Sequence, residues 1–176
     1  MVKSTDPVIP VAVSACILGW KVRYDGSAKR QPAIAGRLAG RLLPLPVCPE
    51  VAIGLGVPRP PIELVEVDGR VKALGVEDRT CDVTISLTQY ARHVAGQRPP
   101  IAGMICKSRS PSCGLEVLLH DFRGGELPKR VEGRFVHALM VFLPGLPLME
   151  EKDLDDDLKW HEFIEAVSAY WSENHR

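Results

Sequence analysis

The sequence predicts a single α/β domain in which a mainly parallel, open sheet is flanked by helices and accompanied by a small β-hairpin. Short apolar runs lead directly into turns or loops at three places, as the buried strands of a parallel sheet do. Stretches with apolar residues at helical spacing follow these runs, and one alternating stretch is interrupted by Asp68 and Gly69, a hairpin signal. The 176 residues have the length of one ordinary domain.

The first third of the chain is predicted to hold two strands and one helix. Residues 9–14 are nearly all apolar, which predicts a strand buried on both faces. Residues 19–26 predict a loop that ends in a turn. Apolar side chains at helical spacing predict a helix over residues 33–43, although two glycines weaken the pattern. Residues 45–48 then predict a short second strand, and residues 51–61, rich in glycine and proline, predict an irregular loop.

The middle of the chain is predicted to contain the hairpin, a helix and the central strand of the sheet. Residues 62–74 form the alternating stretch of the hairpin. A helix is expected to begin near Thr80 or Asp82, either of which can cap it, and to end at Ala95. The apolar residues 101–106 then predict the central strand, which leads into a loop rich in serine.

The last third is predicted to be mainly helical. Residues 116–122 predict one more strand, and residues 135–142 predict a helix. The acidic residues 148–157 are expected to begin a helix, because carboxylates are favourable near a helix N-terminus. The final helix is expected over residues 155–173, with a buried face formed by Leu158, Phe163, Ile164, Val167 and Tyr170 or Trp171.

The composition excludes several classes of partner. Lysine and arginine total 22 residues, as do aspartate and glutamate, so no basic surface for long nucleic acids or anionic membranes is indicated. No apolar run approaches the roughly 18–20 residues that a membrane span needs. Residues 1–7 include an acidic residue and a proline, which a signal peptide would not. We therefore expect a cytoplasmic protein with a small-molecule ligand, and the sequence leaves its oligomeric state open.

Three cysteines each stand beside a turn that follows an apolar run: Cys16, Cys48 and Cys113. Three interpretations remain open for them, namely small buried core residues, ligands of a metal or cluster, and a nucleophilic thiol. The other two cysteines, Cys81 and Cys106, are interpreted as core residues. Three thiolates without a nearby histidine suit zinc or an iron–sulfur cluster better than magnesium or calcium. A fourth protein ligand would close such a site, whereas an open position is typical of catalysis.

Polar residues beside the three cysteines are candidates for acid–base chemistry and binding. Glu50 follows Cys48 by two residues, so it is a candidate general acid or base, or else an exposed loop carboxylate. The serines of the loop after the central strand can bind sulfur or a substrate oxygen, or satisfy the loop backbone; they are Ser108, Ser110 and Ser112. Nearby cations are candidates for binding an anionic or carbonyl-bearing ligand, or are solvated surface charges; they are Arg59, Lys107 and Arg109.

Four motifs taken together resemble the thiouracil desulfidase family, over about residues 9–172. They are residues 13–26 around Cys16, residues 47–50 around Cys48, residues 54–61, and residues 107–114 with Cys113. The later stretch 146–156, which includes Glu150 and Glu151 and precedes the terminal helix, is similar too. The resemblance implies a [4Fe-4S] cluster held by these three cysteines, with one open iron that binds the sulfur of a thiolated uracil. It also implies that Glu50 activates the attacking water and that a serine of residues 108–112 contacts the base. Tyr24, Asp25 and Arg59 are further candidates for lining the pocket. Where the family is expected to carry an apolar aliphatic residue, this chain has Cys106.

The predicted reaction is therefore the non-redox conversion of 2- or 4-thiouracil, or a related nucleoside, to the oxo form with release of sulfide. Two alternatives belong to other classes. One is a structural module that binds zinc or a cluster without turnover. The other is an enzyme that inserts sulfur, which normally needs ATP activation, and the sequence contains no P-loop motif.

Overall fold

The computed structural model describes residues 8–174, so residues 1–7, where the sequence argued against a signal peptide, lie outside the described residues. Within the described residues, eight strands form two four-stranded sheets, and five helices accompany them. The strands are β1 (Ile9–Ser14), β2 (Leu42–Val47), β3 (Ile62–Val67), β4 (Arg70–Gly75), β5 (Met104–Cys106), β6 (Val117–His120), β7 (Glu126–Val131) and β8 (Leu148–Glu150). The helices are α1 (Ile34–Leu38), α2 (Pro49–Ala52), α3 (Thr84–Ala95), α4 (Arg134–Phe142) and α5 (Asp157–Asn174), and short 3₁₀ turns follow β1 (Ala15–Leu18) and β8 (Glu151–Asp153).

The first sheet is entirely parallel, with the strand order β2-β1-β5-β8. Its inner strand β1 is almost completely buried, as the continuous apolar run predicted. The edge strand β2 contains Pro44 and Pro46, which is tolerated because an edge strand has one side without a hydrogen-bonding neighbour. Since all four strands run the same way, the carboxyl ends of β1, β2 and β5 lie at one edge of the sheet.

The second sheet has the order β4-β3-β6-β7 and is larger than the small hairpin that the sequence predicted. The hairpin of β3 and β4 forms half of it and turns at Asp68 and Gly69, whose φ angles are 51° and 71°. Positive φ at both turn positions is the geometry that an Asp-Gly pair favours. Strand β7 did not stand out in the sequence, because it is mostly exposed and contains Pro128, features of an edge strand.

Two apolar clusters hold the layers together. One lies between the sheets and includes buried residues of α3 and α4, such as Leu87 and Phe135. The other covers the opposite face of the parallel sheet, where α5 packs Phe163 and Val167 against it. A Cβ at Gly103 would lie only 2.7 Å from the Val167 side chain, so this glycine permits the close approach of α5. The predicted α/β fold class, with a parallel sheet and flanking helices, is confirmed.

Two predicted segments in the first third differ from the structure. The helix expected over residues 33–43 is only the five-residue α1, because Gly40 adopts a left-handed conformation with a φ of 78° and ends the helical path. The next residues then join β2, which begins at Leu42 rather than at residue 45. The loop expected over residues 51–61 begins only at residue 53, because residues 51 and 52 belong to the short helix α2, whose first residue is Pro49, a position where a missing N–H is harmless.

The C-terminal part contains two more corrections. The acidic stretch 148–157 does not begin a helix, because Leu148 and Met149 pair with β5 and form strand β8, and a 3₁₀ turn follows. Helix α5 begins at Asp157 and buries Phe163 and Val167, but Leu158 is 68% exposed and is not part of its buried face. Helices α3 and α4 and strand β6 lie where the sequence placed them, within a few residues. Within residues 8–174, no helix is long and apolar enough to cross a membrane.

Candidate active site

A cavity of about 330 Å³ lies at the carboxyl ends of β1, β2 and β5. Cys16 reaches it from the 3₁₀ turn after β1, Cys48 directly follows β2, and Cys113 lies in the loop between β5 and β6. These thiols line the cavity together with Ser14, Ala15, Val22, Arg23, Tyr24, Lys29, Val47, Pro49, Glu50, Arg59, Lys107, Ser108, Arg109, Ser110 and Pro111. The structure therefore brings the three strand-end cysteines to one place.

The three thiols are sheltered from water and influence one another. Cys16 is 9% exposed and Cys113 is 4% exposed. Burial, followed by the nearby Cys48 thiol, raises the pKa of Cys16 to about 11. Burial also raises the pKa of Cys48. The pKa of Cys113 is raised more than that of Cys16, by burial first and then by the nearby Glu50 and the other two thiols. Without a bound cation, all three groups are therefore neutral thiols at pH 7, and binding of a metal or cluster must release their protons.

The donor set suits a cluster better than a single ion. Among the residues that the structure describes, no three His, Cys, Asp or Glu side chains lie close enough to hold one metal ion. A zinc ion would draw its thiolates to about 2.3 Å and so bring the sulfurs close together. A cluster spreads its cysteine ligands over separate iron atoms and accepts wider spacing. Three soft thiols around a cavity of this size fit an iron–sulfur cluster.

Glu50 is the carboxylate of the cavity, and its position is fixed by two partners. It lies in the first turn of α2, and one oxygen accepts a hydrogen bond from Arg59 Nε at 2.8 Å while the other accepts one from Ser112 Oγ at 2.9 Å. The Glu50 side chain is 11% exposed and that of Arg59 is 4% exposed. Arg59 is itself held by the carbonyl oxygens of Val22 and Gly56 at 3.0 and 2.9 Å. This buried ion pair orients Glu50, and its burial rules out an exposed loop carboxylate.

The loop that carries Cys113 rests on the N-terminus of α4. Backbone N–H groups at the start of α4 donate to the carbonyl oxygens of Pro111 and Ser112, at 2.8–3.2 Å. These bonds satisfy helix donors that otherwise lack partners within the helix. A Cβ at Gly133 would lie 2.5 Å from the Ser112 carbonyl carbon, so only glycine permits this contact.

The three loop serines have different surroundings. The Ser108 hydroxyl donates to Glu151 Oε1 at 2.8 Å, and the Ser112 hydroxyl donates to Glu50 from a position only 1% exposed and outside the cavity lining. The Ser110 oxygen accepts hydrogen bonds from the backbone N–H groups of Ser112 and Cys113, at 3.3 and 3.1 Å. Each hydroxyl has one proton to donate. Only Ser110, of the three, therefore lines the cavity with a proton that is not engaged in a hydrogen bond of the structure.

Lys107 lines the cavity, but its donors are used within the protein. Its ammonium donates to Glu151 Oε1 at 2.5 Å, to the Ser108 carbonyl oxygen at 3.0 Å and to Ser108 Oγ at 3.1 Å. An ammonium group has three donors, so none is left for a ligand. Lys107 therefore lines the cavity with its donors held by the loop and by Glu151, and its contact with substrate stays a prediction.

The remaining predicted residues divide between the cavity and the surface. Tyr24 and Arg109 both line the cavity, and Arg109 has a positive φ of 58°, an uncommon conformation for a residue with a side chain. Asp25 does not line it: its Oδ1 accepts hydrogen bonds from the Ser27 backbone at 2.9 Å and the Ser27 hydroxyl at 2.6 Å in an exposed turn. These two bonds hold the pKa of Asp25 below its ordinary value. Asp25 is thus a turn-forming residue rather than a pocket residue.

Several cavity residues were missed by sequence reasoning. Ser14 lines the cavity, is 2% exposed, and accepts a hydrogen bond from the Lys107 backbone N–H at 3.0 Å. Its position two residues before Cys16, at the end of a buried strand, was the available signal. Arg23 and Lys29 also line the cavity, but their stretch carries no pattern that separates them from ordinary surface cations.

The fold and the site together define an α/β protein that presents thiols and a buried carboxylate at the carboxyl edge of a parallel sheet, an arrangement suited to an enzyme that uses a metal or cluster. Residues 11–151 match the 2-thiouracil desulfurase family, and the chain belongs to this family. The prediction of family and enzyme class is thereby confirmed.

One solved structure supports the same assignment. It is described as a [4Fe-4S]-dependent thiouracil desulfidase, TudS, and is 30% identical in sequence, with a TM-score of 0.67. The similarity covers 92% of this chain and 99% of the TudS chain. No protein of curated function matches this chain.

Proposed function

We propose that this protein is a [4Fe-4S]-dependent desulfidase that removes sulfur from a thiolated uracil. The observation that carries the proposal is the single cavity lined by Cys16, Cys48, Cys113 and Glu50. Membership of the 2-thiouracil desulfurase family and similarity to a [4Fe-4S]-dependent desulfidase support it. The same findings favour an enzyme over a structural zinc or cluster module, and sulfur removal over sulfur insertion.

Cys16, Cys48 and Cys113 would hold the cluster through their thiolates and leave one iron without a protein ligand. Cys81 and Cys106 do not line the cavity, so neither is expected to be a fourth ligand. When bound, the cluster would supply Lewis-acid affinity for the sulfur of the substrate. Loading should release protons, because burial keeps the three thiols neutral in the free protein.

Glu50 would act as the acid–base group of the reaction. In the overall change, water supplies the oxygen that replaces sulfur on the ring carbon, and its two protons leave with sulfide, so no electrons are gained or lost. A carboxylate that lines the cavity can take a proton from the attacking water and pass it on. The partners Arg59 and Ser112 hold its two oxygens at 2.8 and 2.9 Å, so the carboxylate needs no reorientation during the reaction.

Ser110 would bind the base, because it lines the cavity and its hydroxyl proton, not engaged elsewhere, is available to a ring carbonyl or nitrogen acceptor. The cavity of about 330 Å³ is at the lower end of the range for small-molecule sites, and the cluster would occupy part of it, so the remaining space suits a single base or nucleoside such as 2- or 4-thiouracil. The balanced charge of the chain also argues against an intact transfer RNA as substrate.

Replacing Ser110 with alanine should lower kcat/KM by about 10-fold or more, since a substrate hydrogen bond that strengthens in the transition state is lost. Ser110→Thr keeps a hydroxyl and should recover part of the rate. Steady-state assays of sulfide release, with cluster content measured in parallel, would check this. Ser168→Ala, at an exposed serine of α5, is the matched control and should change nothing. An unchanged kcat/KM in Ser110→Ala would remove Ser110 from substrate binding.

The central experiment is anaerobic reconstitution with iron and sulfide, followed by addition of 2- or 4-thiouracil and measurement of released sulfide and uracil. We expect cluster-dependent release, with no release from protein that has not been reconstituted. A bound cluster without release from either base or its nucleoside would contradict the proposed reaction. Tight zinc bound by four thiolates would instead favour the structural module.

A further inference from the structure

Two consecutive buried carboxylates, Glu150 and Glu151, accept hydrogen bonds from the two ends of the loop that carries Ser110 and Cys113. Glu151, which is 6% exposed, accepts hydrogen bonds from Lys107 Nζ at 2.5 Å, from the Ser108 backbone N–H at 2.6 Å and from Ser108 Oγ at 2.8 Å. Glu150, which is 3% exposed, accepts one from the Leu115 backbone N–H at 2.8 Å and pairs with Lys152 at 2.6 Å. Neither acid lines the cavity.

The parallel sheet brings these groups together. Strand β8 pairs with β5 in a register that sets Glu150 opposite Cys106. The residue after Glu150 therefore lies beside the residues that follow Cys106, which begin the loop. Since 43 residues separate Ser108 from Glu151 in sequence, the contact exists only through the fold.

Glu151 is anionic in this position. Burial alone would raise its pKa, but the hydrogen bonds from Lys107 and Ser108 prevail and lower it. A buried carboxylate is costly unless it is paired, and here three charge-assisted hydrogen bonds converge on one group. Removing the charge would leave the Lys107 ammonium and the Ser108 N–H with weaker acceptors, and the start of the loop would loosen.

We propose that Glu151 is a positioning residue for the desulfidase reaction, acting through Lys107 and Ser108. It fixes the beginning of the loop, while Glu150 and the N-terminus of α4 fix its end, so that Ser110 and Cys113 face the cavity. Glu151 also holds the Lys107 ammonium, whose three donors are then all used within the protein. The expected effect on catalysis rests on the proposed function, whereas the expected effect on the loop does not.

The test compares Glu151→Gln with the wild type in two readouts. Glutamine has nearly the same size but cannot accept with both oxygens, so amide hydrogen exchange over residues 107–115 should become faster in the protein without cluster. In the reconstituted enzyme, kcat should fall by about 10–100-fold, as for other residues that orient ligands, while KM changes by less than about 3-fold. Glu151→Asp keeps the charge and should recover part of both effects, and it serves as the second variant if the glutamine variant does not fold.

Glu116→Gln is the matched control, because Glu116 is a nearby acid whose side chain is 71% exposed. It should alter neither exchange nor kcat. Unchanged loop exchange together with unchanged kcat in Glu151→Gln would overturn the inference, as would a rise in KM alone. If the wild-type protein with cluster releases no sulfide, the proposed function fails, whereas faster exchange confined to Glu151→Gln would still support the positioning role.

Discussion

Replacing Cys113 with serine should prevent the protein from retaining a [4Fe-4S] cluster. Cys113 is 4% exposed and lines the cavity with the other two strand-end thiols, so a serine hydroxyl there would offer a hard oxygen in place of a soft thiolate. Because loss of a group that merely orients a metal ligand costs about 10–100-fold in affinity or activity, loss of the ligand itself should exceed that. Iron content and visible absorbance after anaerobic reconstitution would measure the effect.

The same result is expected for Cys16→Ser and Cys48→Ser, and two other cysteines supply controls. Cys81→Ser, at a half-buried position outside the cavity, should keep the full cluster content. Cys106 is completely buried, and burial raises its pKa well above the ordinary value, so Cys106→Ala is preferred to a serine that would bury an unpaired hydroxyl. Full cluster content in any of the three serine variants of the cavity would exclude that residue as a ligand. Loss of cluster in a control would indicate a fourth ligand.

The convergence of the three thiols could be expected from sequence for a simple geometric reason. An apolar run such as residues 9–14 forms a buried strand, and buried parallel strands end at one edge, so residues placed just after them meet. Parallel strands end at the same edge whatever their order in the sheet. The same geometry applies to Ser14, which is the last residue of β1 and lines the cavity.

The rest of the site depends on contacts between distant residues, which no local sequence pattern indicates. Ser108, Ser110 and Ser112 look alike in sequence, and only their separate partners, Glu151, backbone N–H groups and Glu50, give them different roles. Those partners lie up to 62 residues away along the chain. Asp25 shows the opposite error, because a local turn with Ser27 satisfies a side chain that its neighbourhood suggested for the pocket.

Two strands that the sequence did not predict also depend on contacts between segments distant in sequence. Strand β7 is polar and exposed, and strand β8 is only three residues long, so neither shows a clear apolar alternation. Each becomes a strand because a neighbour offers backbone partners, β6 for the first and β5 for the second. Sequence patterns indicate which side chains are buried. They do not indicate these two strands, because backbone pairing with a neighbouring strand defines them.

Replacing Glu50 with glutamine should leave the cluster in place and remove most of the activity. Glutamine keeps the shape of the side chain and can still accept from Arg59 or Ser112, but it cannot take a proton from water. General acid–base catalysis contributes typically about 10²–10⁴-fold, so kcat should fall by that amount with a smaller change in KM. Sulfide release under single-turnover conditions, normalised to iron content, would measure the loss.

The control must separate chemistry from the loss of a buried ion pair, because Arg59 would be left with a neutral partner. Breaking such a pair costs about 3–5 kcal/mol at most, and the Val22 and Gly56 carbonyl oxygens that also bind Arg59 should reduce this cost. Glu63→Gln is a matched variant, since Glu63 pairs with Arg79 at 2.5 Å, is 18% exposed and lies outside the cavity. If stability alone mattered, both variants would lose thermal stability and activity in parallel. A fall in kcat confined to Glu50→Gln would assign proton transfer to Glu50, whereas an unchanged kcat in that variant would move this role to another group.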